Sequence, residues 1–426
     1  MLRNACRAAI ALLTTLALSS PVAHAAPQTY FVDCADGNDA NSGSDPDAAW
    51  ATLGRVGQAN LAPGDAVRLK RGCTWTGVLN AHWDGTADQP IVIAPYGEGN
   101  APTIEAAADS VDLSGSYVVV DGLALHGTPE RVDPGCNNQP VGYRVGVQVK
   151  GGAHHNTVRN SNFSSLSMGV SVAKGAANNM IQKNTFADVD MMFTLTPKSA
   201  NASDDGGAQA ILLAGDYNDV SYNTVLGSIA CSYDFNTDGA VVEIWGGGHN
   251  TIHHNYSENT DIFGEVSLPS AVDNAFSYNI ANGHRGLTVH GETSGTKVYN
   301  SVFYSVGGSG DNGVVCASCS NAKLTFKNNI VWAYGGLSTG GAPADEGFNV
   351  YWASNGSPFL DVQISTTSMV ADPKFEQPGS DFRLQANSPA IDAGTTESVI
   401  AGFTTDLDDN AVPGTTAGIE LGTYAF

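Results

Sequence analysis

Positive charge is scarce in this chain: 19 Lys and Arg stand against 42 Asp and Glu in 426 residues, a formal charge of −23. A nucleic-acid binder displaces counterions from phosphates with a basic face, so this balance excludes that class of partner. Charge of either sign is sparse at 14% of residues, while 42% are apolar and the carboxylates are scattered rather than run together. That composition excludes a disordered acidic tail. After the first stretch there is no apolar run of the roughly 20 residues that span a bilayer, so no membrane partner is expected. Long segments of 3.6-residue periodicity are missing too, which argues against a helical architecture.

The first stretch itself has the pattern of an export signal. Met1 to Arg7 gives a short cationic start, Ala8 to Leu18 an apolar run, and Pro21-Val-Ala-His-Ala25 the small residues that signal peptidase reads. A secreted monomer beginning at Ala26 is expected, and losing Arg3 and Arg7 takes the charge to −25. Cysteine is also rare, seven residues in all and six once Cys6 leaves. An even count in an oxidising compartment indicates disulfides. Cys34 with Cys73 and Cys316 with Cys319 are suitable pairs, though the pairing stays open. Cys136 and Cys231 stand alone, so a zinc site lacks its second Cys pair.

What the chain has in quantity is glycine, 49 residues, and internal repetition. Gly207-Ala-Gln-Ala-Ile-Leu-Leu213 with Asn223 downstream superposes without a gap on Gly239-Ala-Val-Val-Glu-Ile-Trp245 with Asn255, at an offset of 32. Looser copies begin at Asn156, Asn178, Asp273, Lys297 and Leu324. Each is a short β-rich run, a Gly/Asn turn and a second run. One such coil cannot bury its apolar side alone, and stacking successive coils supplies the missing core. Asn suits the left-handed backbone of a sharp corner, and its amide can bond to the Asn one coil above. The pattern predicts an all-β fold, a single-stranded right-handed parallel β-helix. Sequons such as Asn162-Phe-Ser and Asn255-Tyr-Ser fall on these corners and are read as structural. Exposed strand edges need caps: a short helix in Ala49 to Val56, with Trp50, Leu53 and Val56 on one face, serves the N-terminal end. The layout is then residues 1–25 signal, 26–64 N-terminal cap, 65–371 β-helix and 372–426 C-terminal coils and cap.

The chain resembles the secreted bacterial parallel β-helix proteins of the polysaccharide lyase and glycoside hydrolase type. The resemblance rests on Tyr30-Phe-Val-Asp-Cys-Ala-Asp-Gly37, Trp50-Ala-Thr-Leu53, Pro63-Gly-Asp65 and Gln89-Pro-Ile-Val-Ile-Ala-Pro-Tyr96 near the start. Ala371-Asp-Pro-Lys-Phe375, Ser388-Pro-Ala-Ile-Asp-Ala-Gly394 and Gly418-Ile-Glu-Leu-Gly-Thr-Tyr424 carry it at the end. It implies the fold and a polysaccharide partner, but not one reaction, because these segments recur across different activities. Asn236-Thr-Asp-Gly239 and Asp204-Asp205 are similar to pieces of the polygalacturonase motif set, here in reversed order.

Alternation in a strand fixes which residues leave the core. With Val242 and Ile244 inward, Val241, Glu243 and Trp245 point out. Inward Val266 and Leu268 leave Glu265 and Ser267 outside, and inward Leu287 and Val289 leave Thr288 and His290. Glu243 then sits beside Glu265, with Trp245 in a column with Ser267 and His290. Carboxylates on neighbouring rungs lie about 5 Å apart, near the separation used by retaining glycosidases, and their repulsion raises one pKa. The catalytic candidates are therefore Glu243, Glu265, Asp238, Asp205 and His290; the substrate-binding candidates are Trp245, Arg285, His284 and Asp204. No cofactor is demanded, with Ca²⁺ the ion that Asp205, Asp238, the stretch Asp33 to Asp39 or Asp406 to Asp409 could ligate, the two stretches being read first as exposed turns. His249, His253 and His254 lie at the Asn turns as structural groups. A glycoside hydrolase is the leading expectation. Its rivals are a Ca²⁺-dependent lyase or uronate epimerase, and an adhesive β-helix without catalysis.

Overall fold

Strands of two to six residues, each ended by a Gly or polar turn, are too short to pair within one coil. They pair instead with the matching run one coil on. The computed structural model describes residues 26–130, 135–137, 139–197, 203–307, 312–396, 405–408, 410–412 and 419–424, so the stretch expected to be an export signal lies outside the described residues. Three parallel sheets of 12, 11 and 12 strands run the length of the chain, each taking in turn one strand per coil. This is the parallel β-helix that the repeat requires. Among the described residues the helical elements are Leu53–Gly57 and a 3-10 turn at Pro46–Ala48. The cap helix starts later than expected, behind Thr52, whose side chain accepts from the Arg55 amide. Trp50 instead pairs with Val32 in a β-bridge and stacks on Tyr30, while Leu53 and Val56 are buried as foreseen.

The interior is lined by fully buried Val, Ile, Leu and Phe from all three sheets. Phe163 and Phe186 stack at 4.5 Å. Opposite these rings Gly146 and Gly169 leave no room for a Cβ, so the corner holds a column of small residues against a column of large ones.

Two ladders of buried asparagines stitch the coils together. Each side-chain amide donates to the carboxamide oxygen of the next, through Asn156, Asn179, Asn218, Asn250 and Asn274 on one corner. Asn184, Asn223, Asn255 and Asn279 do the same on the other. The ladder residues do not carry the left-handed backbone expected of them. That conformation falls on the residue just before each: His155, Asn178, Tyr217, His249 and Asp273 on the first corner, Lys183, Tyr222, His254 and Tyr278 on the second. Those residues stack outside the turn, His249 on Tyr217 at 4.7 Å and His254 between Tyr222 at 4.8 Å and Tyr278 at 5.2 Å. Asn255 is spent in the ladder, whereas Asn162 is exposed at a strand start and belongs to neither ladder.

Cysteines pair as Cys34–Cys73, Cys136–Cys231 and Cys316–Cys319, which leaves no thiol among them for zinc. The C-terminal hairpin of Phe375–Gln377 with Asp381–Leu384 packs Phe375, Phe382 and Leu384 on Ile280, Val302, Ile330 and Val350, a second apolar cluster apart from the interior. Among the described residues no helix is long and apolar enough to cross a membrane.

Asn223 shows what a ladder residue is worth. Its amide nitrogen donates to Ile181 O at 2.8 Å and Asn255 Oδ1 at 3.0 Å, and its oxygen accepts from Asn184 N and Nδ2. Asn223→Ala leaves several buried groups unpaired and is expected to cost about 3 kcal/mol in urea unfolding followed by circular dichroism. A loss under about 1 kcal/mol would contradict the ladder's role.

Candidate active site

Four neighbouring strands of the 11-stranded sheet, Gln209–Leu213, Ala240–Trp245, Ile262–Ser267 and Arg285–Val289, form the floor of the site. Their register places Leu212, Glu243, Glu265 and Thr288 in one column and Trp245 beside Ser267. The gap-free offset of 32 does not hold here. It holds at the ladder, where Asn218 meets Asn250, but Leu212 meets Glu243 at an offset of 31. Between Ile244 and Asn250 lie five residues, Gly246, Gly247 and Gly248 among them, against four between their partners Leu213 and Asn218. A one-residue slip reverses the faces of a strand, so this extra residue keeps Glu243 on the outer face while the ladder stays aligned.

Alternation also fails at one end of the strand. Val241, expected outside, is buried in the interior together with Val242. It continues the column of Gly146, Gly169 and Ala210, the position at which the ladder skips a pairing and the strand bends into the corner. From Val242 onward the alternation is regular.

Loops wall this floor into a cleft of about 660 Å³. One wall holds two antiparallel excursions, Met192–Thr194 with Gly206–Gly207 and Ala230–Ser232 with Asn236–Asp238. The Cys136–Cys231 disulfide ties the second excursion to the segment before Val145. Asp205 is the knot between the two. One carboxylate oxygen accepts from Thr196 N, and the other from Ser232 Oγ, Tyr233 N and Asp234 N, so its work is to hold loops rather than move protons.

The walls take water away from the acids. Glu243 is 9% exposed although it faces outward. Its pKa is pushed up to about 8, by burial first and then by the charges of Glu265 and Asp238, against a hydrogen bond from Gln209 Nε2. Burial likewise pushes Asp238 up to about 7, with Asp261 and Glu265 adding repulsion against the Gly239 amide and Arg285. His290 Nε2 bonds Glu265 Oε1 at 2.6 Å, and this bond raises the imidazole pKa.

Of the residues singled out from sequence, Glu243, Glu265, Asp238, Asp205, His290, Trp245, Arg285 and Asp204 all line this one cleft. His284 is exposed and does not, because it precedes the bend into the strand. Arg285 reaches the cleft but is already ion-paired with buried Asp261, which also accepts from Thr237 Oγ1. Gln209, Asp261, Tyr143, Phe193 and Phe235 were missed. Gln209 is legible only with the true register, which sets it beside Ala240 and one strand from Glu243. The aromatic residues sit on loops that no periodicity reaches.

Asp204, Asp205 and Asp234 have carboxylate oxygens within 4.8 Å of one another, close enough to share a cation. Asp234 Oδ2 also accepts from the amides of Ser203, Asp204 and Asp205, and Asp205 is engaged as above. Asp33 and Asp406 are buried turn caps rather than the exposed turns expected, each accepting from backbone amides two to four residues on. Asp409 lies outside the described residues.

No family model matches the chain. Over 76 residues it is 38% identical to a lacto-N-biosidase of Bifidobacterium longum, a stretch that is 17% of this chain and 5% of that protein. Among solved structures, pectate lyase Pel9A superposes with a TM-score of 0.54 at 18% identity, covering 93% of this chain and 96% of that one. The GH136 lacto-N-biosidase of Eubacterium ramulus gives 0.44 at 14%, covering 81% and 67%. The first of these structures establishes a shared parallel β-helix, a fold on which unrelated reactions are built.

Glu243 makes a testable link between pH and stability. Its folded pKa is raised, so the folded state holds a proton that the unfolded chain releases near its ordinary value of 4.5. The stability it contributes is complete below that value and is lost as pH rises through about 8. Urea unfolding across this window should show stability declining in the wild type and a shallower decline in Glu243→Gln. Parallel curves for the two proteins would contradict the raised pKa.

Proposed function

We propose that the chain is an exported carbohydrate-active enzyme, and within that class a retaining glycoside hydrolase acting on a polysaccharide. The observation that carries this reading is the pairing of Glu243 with Glu265 on neighbouring strands of one sheet face, inside a walled cleft. Strand spacing sets their backbones about 4.8 Å apart, which suits an acid and a nucleophile acting on opposite sides of one glycosidic bond.

Glu243 is the general acid. Protonated at neutral pH, it gives its proton to the leaving oxygen as the bond to the anomeric carbon breaks. Glu265 forms the new bond to that carbon, with its second oxygen held by His290. Ionised Glu243 then takes a proton from water, which displaces Glu265 and releases the sugar. Asp238 sustains the shift on Glu243 through its charge, and Trp245 offers a ring face to the sugar.

A uronate lyase or epimerase needs a cation on the substrate carboxylate and a base at C5. Among the described residues, the cationic side chains that line the cleft are Arg285 and His290, and each is already engaged, by Asp261 and by Glu265. No lysine among the described residues lines it. Both facts support hydrolysis of a neutral glycan over elimination on an acidic one. A non-catalytic adhesive would have no use for a buried acid beside a second carboxylate.

The deciding assay incubates the protein with neutral and uronate polysaccharides, with and without EDTA, following reducing ends and unsaturated products. Reducing ends without unsaturation, unaffected by EDTA, are expected. Glu243→Gln and Glu265→Gln should each lower kcat by about 10²- to 10⁴-fold. Wild-type rates in both variants would remove the site assignment, and unsaturated product would remove the hydrolase.

A further inference from the structure

One wall of the cleft presents aromatic surface that the reaction above does not use. Tyr143 is 63% exposed and Phe235 49%, although large aromatic side chains gain most from burial. Tyr143 stacks on Phe193 at 4.9 Å with the rings 13° from parallel. Gly206 lies against the Phe193 ring so closely that a Cβ there would come within 2.8 Å of Cζ. All three aromatic residues line the cleft that holds Glu243 and Glu265.

This wall is built to keep its place. Gly142 N donates to Met192 O at 3.2 Å, which joins the Tyr143 segment to the strand bearing Phe193. Cys136–Cys231 and the bond from Tyr233 Oη to Cys136 O at 3.3 Å join the same segment to the hairpin bearing Phe235. The exposed rings are therefore fixed before any ligand arrives, which lowers the ordering cost of binding.

Its position relative to Trp245 gives the wall a purpose. Tyr143 lies two residues before Val145, the first register position of its strand, in the column continued by Met168, Gln209 and Ala240. Trp245 ends a strand three rungs further along, five residues past Ala240. At about 3.3 Å per residue and 4.8 Å per rung, Trp245 lies roughly 16 Å along the strands and 14 Å along the helix axis from Val145, with Tyr143 two residues further out. Along the strands the carboxylate pair falls between the two platforms; along the axis Glu243 shares the rung of Trp245 and Glu265 is one rung beyond.

We infer that Tyr143, backed by Phe193 and flanked by Phe235, is a second sugar platform for the ring face of a neutral oligosaccharide that crosses the cleft from Trp245. Sugars pair an apolar ring face with a rim of hydroxyls, matching exposed aromatic rings beside acceptor carboxylates. Among the described residues, the two cationic groups of the cleft are already paired, which disfavours an anionic chain. The inference rests on the hydrolase reading and extends it to a cleft that holds several sugar units.

The test uses the full chain as Glu243→Gln, which binds without turnover, and calorimetric titration with neutral gluco- and xylo-oligosaccharides from disaccharide to hexasaccharide. Affinity should rise with length. Adding Tyr143→Ala should weaken the hexasaccharide about tenfold while changing the disaccharide less than about twofold, and Tyr143→Trp should restore it. Affinity independent of length, an unchanged hexasaccharide in Tyr143→Ala, or no binding anywhere in the panel would overturn the platform. The two readings fail separately. Length-dependent binding with no wild-type turnover would remove the hydrolase and leave the platform.

Discussion

Each coil of this protein lies about 4.8 Å from the next because its backbone amides bond to the carbonyls of its neighbour, in register, on three sides. Every outward residue is thereby given a neighbour it cannot avoid. Where both neighbours are acidic, as at Glu243 and Glu265, repulsion is relieved only by holding a proton or by an opposite charge. The molecule uses both means: Glu243 is buried and keeps its proton, and Glu265 is bonded to His290. The chemistry proposed for the cleft is this one electrostatic conflict put to use.

The conflict is maintained by groups with no part in the reaction. The asparagine ladders lock the corners, so the sheet cannot relax by sliding, and the longer turn before Asn250 absorbs the one residue by which the copies differ. The hairpin walls, knotted at Asp205 and tied by Cys136–Cys231, exclude the water that would otherwise solvate two carboxylates and return Glu243 to an ordinary pKa. The stability of the coil and the acidity of the site thus share one cause, a rigid stack that permits no local escape.

How far this could be read from the chain follows the same division. Repetition is legible because each coil solves one packing problem in one way: Asn218 and Asn250, and Asn223 and Asn255, follow from aligned copies, while the outward pair Glu243 and Glu265 follows from alternation within each strand. What broke the repeat was illegible. Val241 turns inward because it stands where the ladder skips a pairing and the strand bends into the corner, and Gln209 slips by one position because a turn gained a residue. Asp261, which neutralises Arg285, precedes its strand, and Tyr143, Phe193 and Phe235 stand on excursions with no counterpart in neighbouring coils. Their meeting depends on loop paths and a disulfide between residues 95 apart.

A retaining outcome is the plainest signature of carboxylates on adjacent rungs, since a pair two rungs apart would leave room for water and invert the centre. The direct measurement is proton NMR of the first sugar anomer released, recorded before mutarotation, on any neutral glycan the wild-type protein cleaves. The account predicts an anomer of the same configuration as the bond broken. Release of the opposite anomer would contradict the adjacent-rung pair and with it the roles given to Glu243 and Glu265.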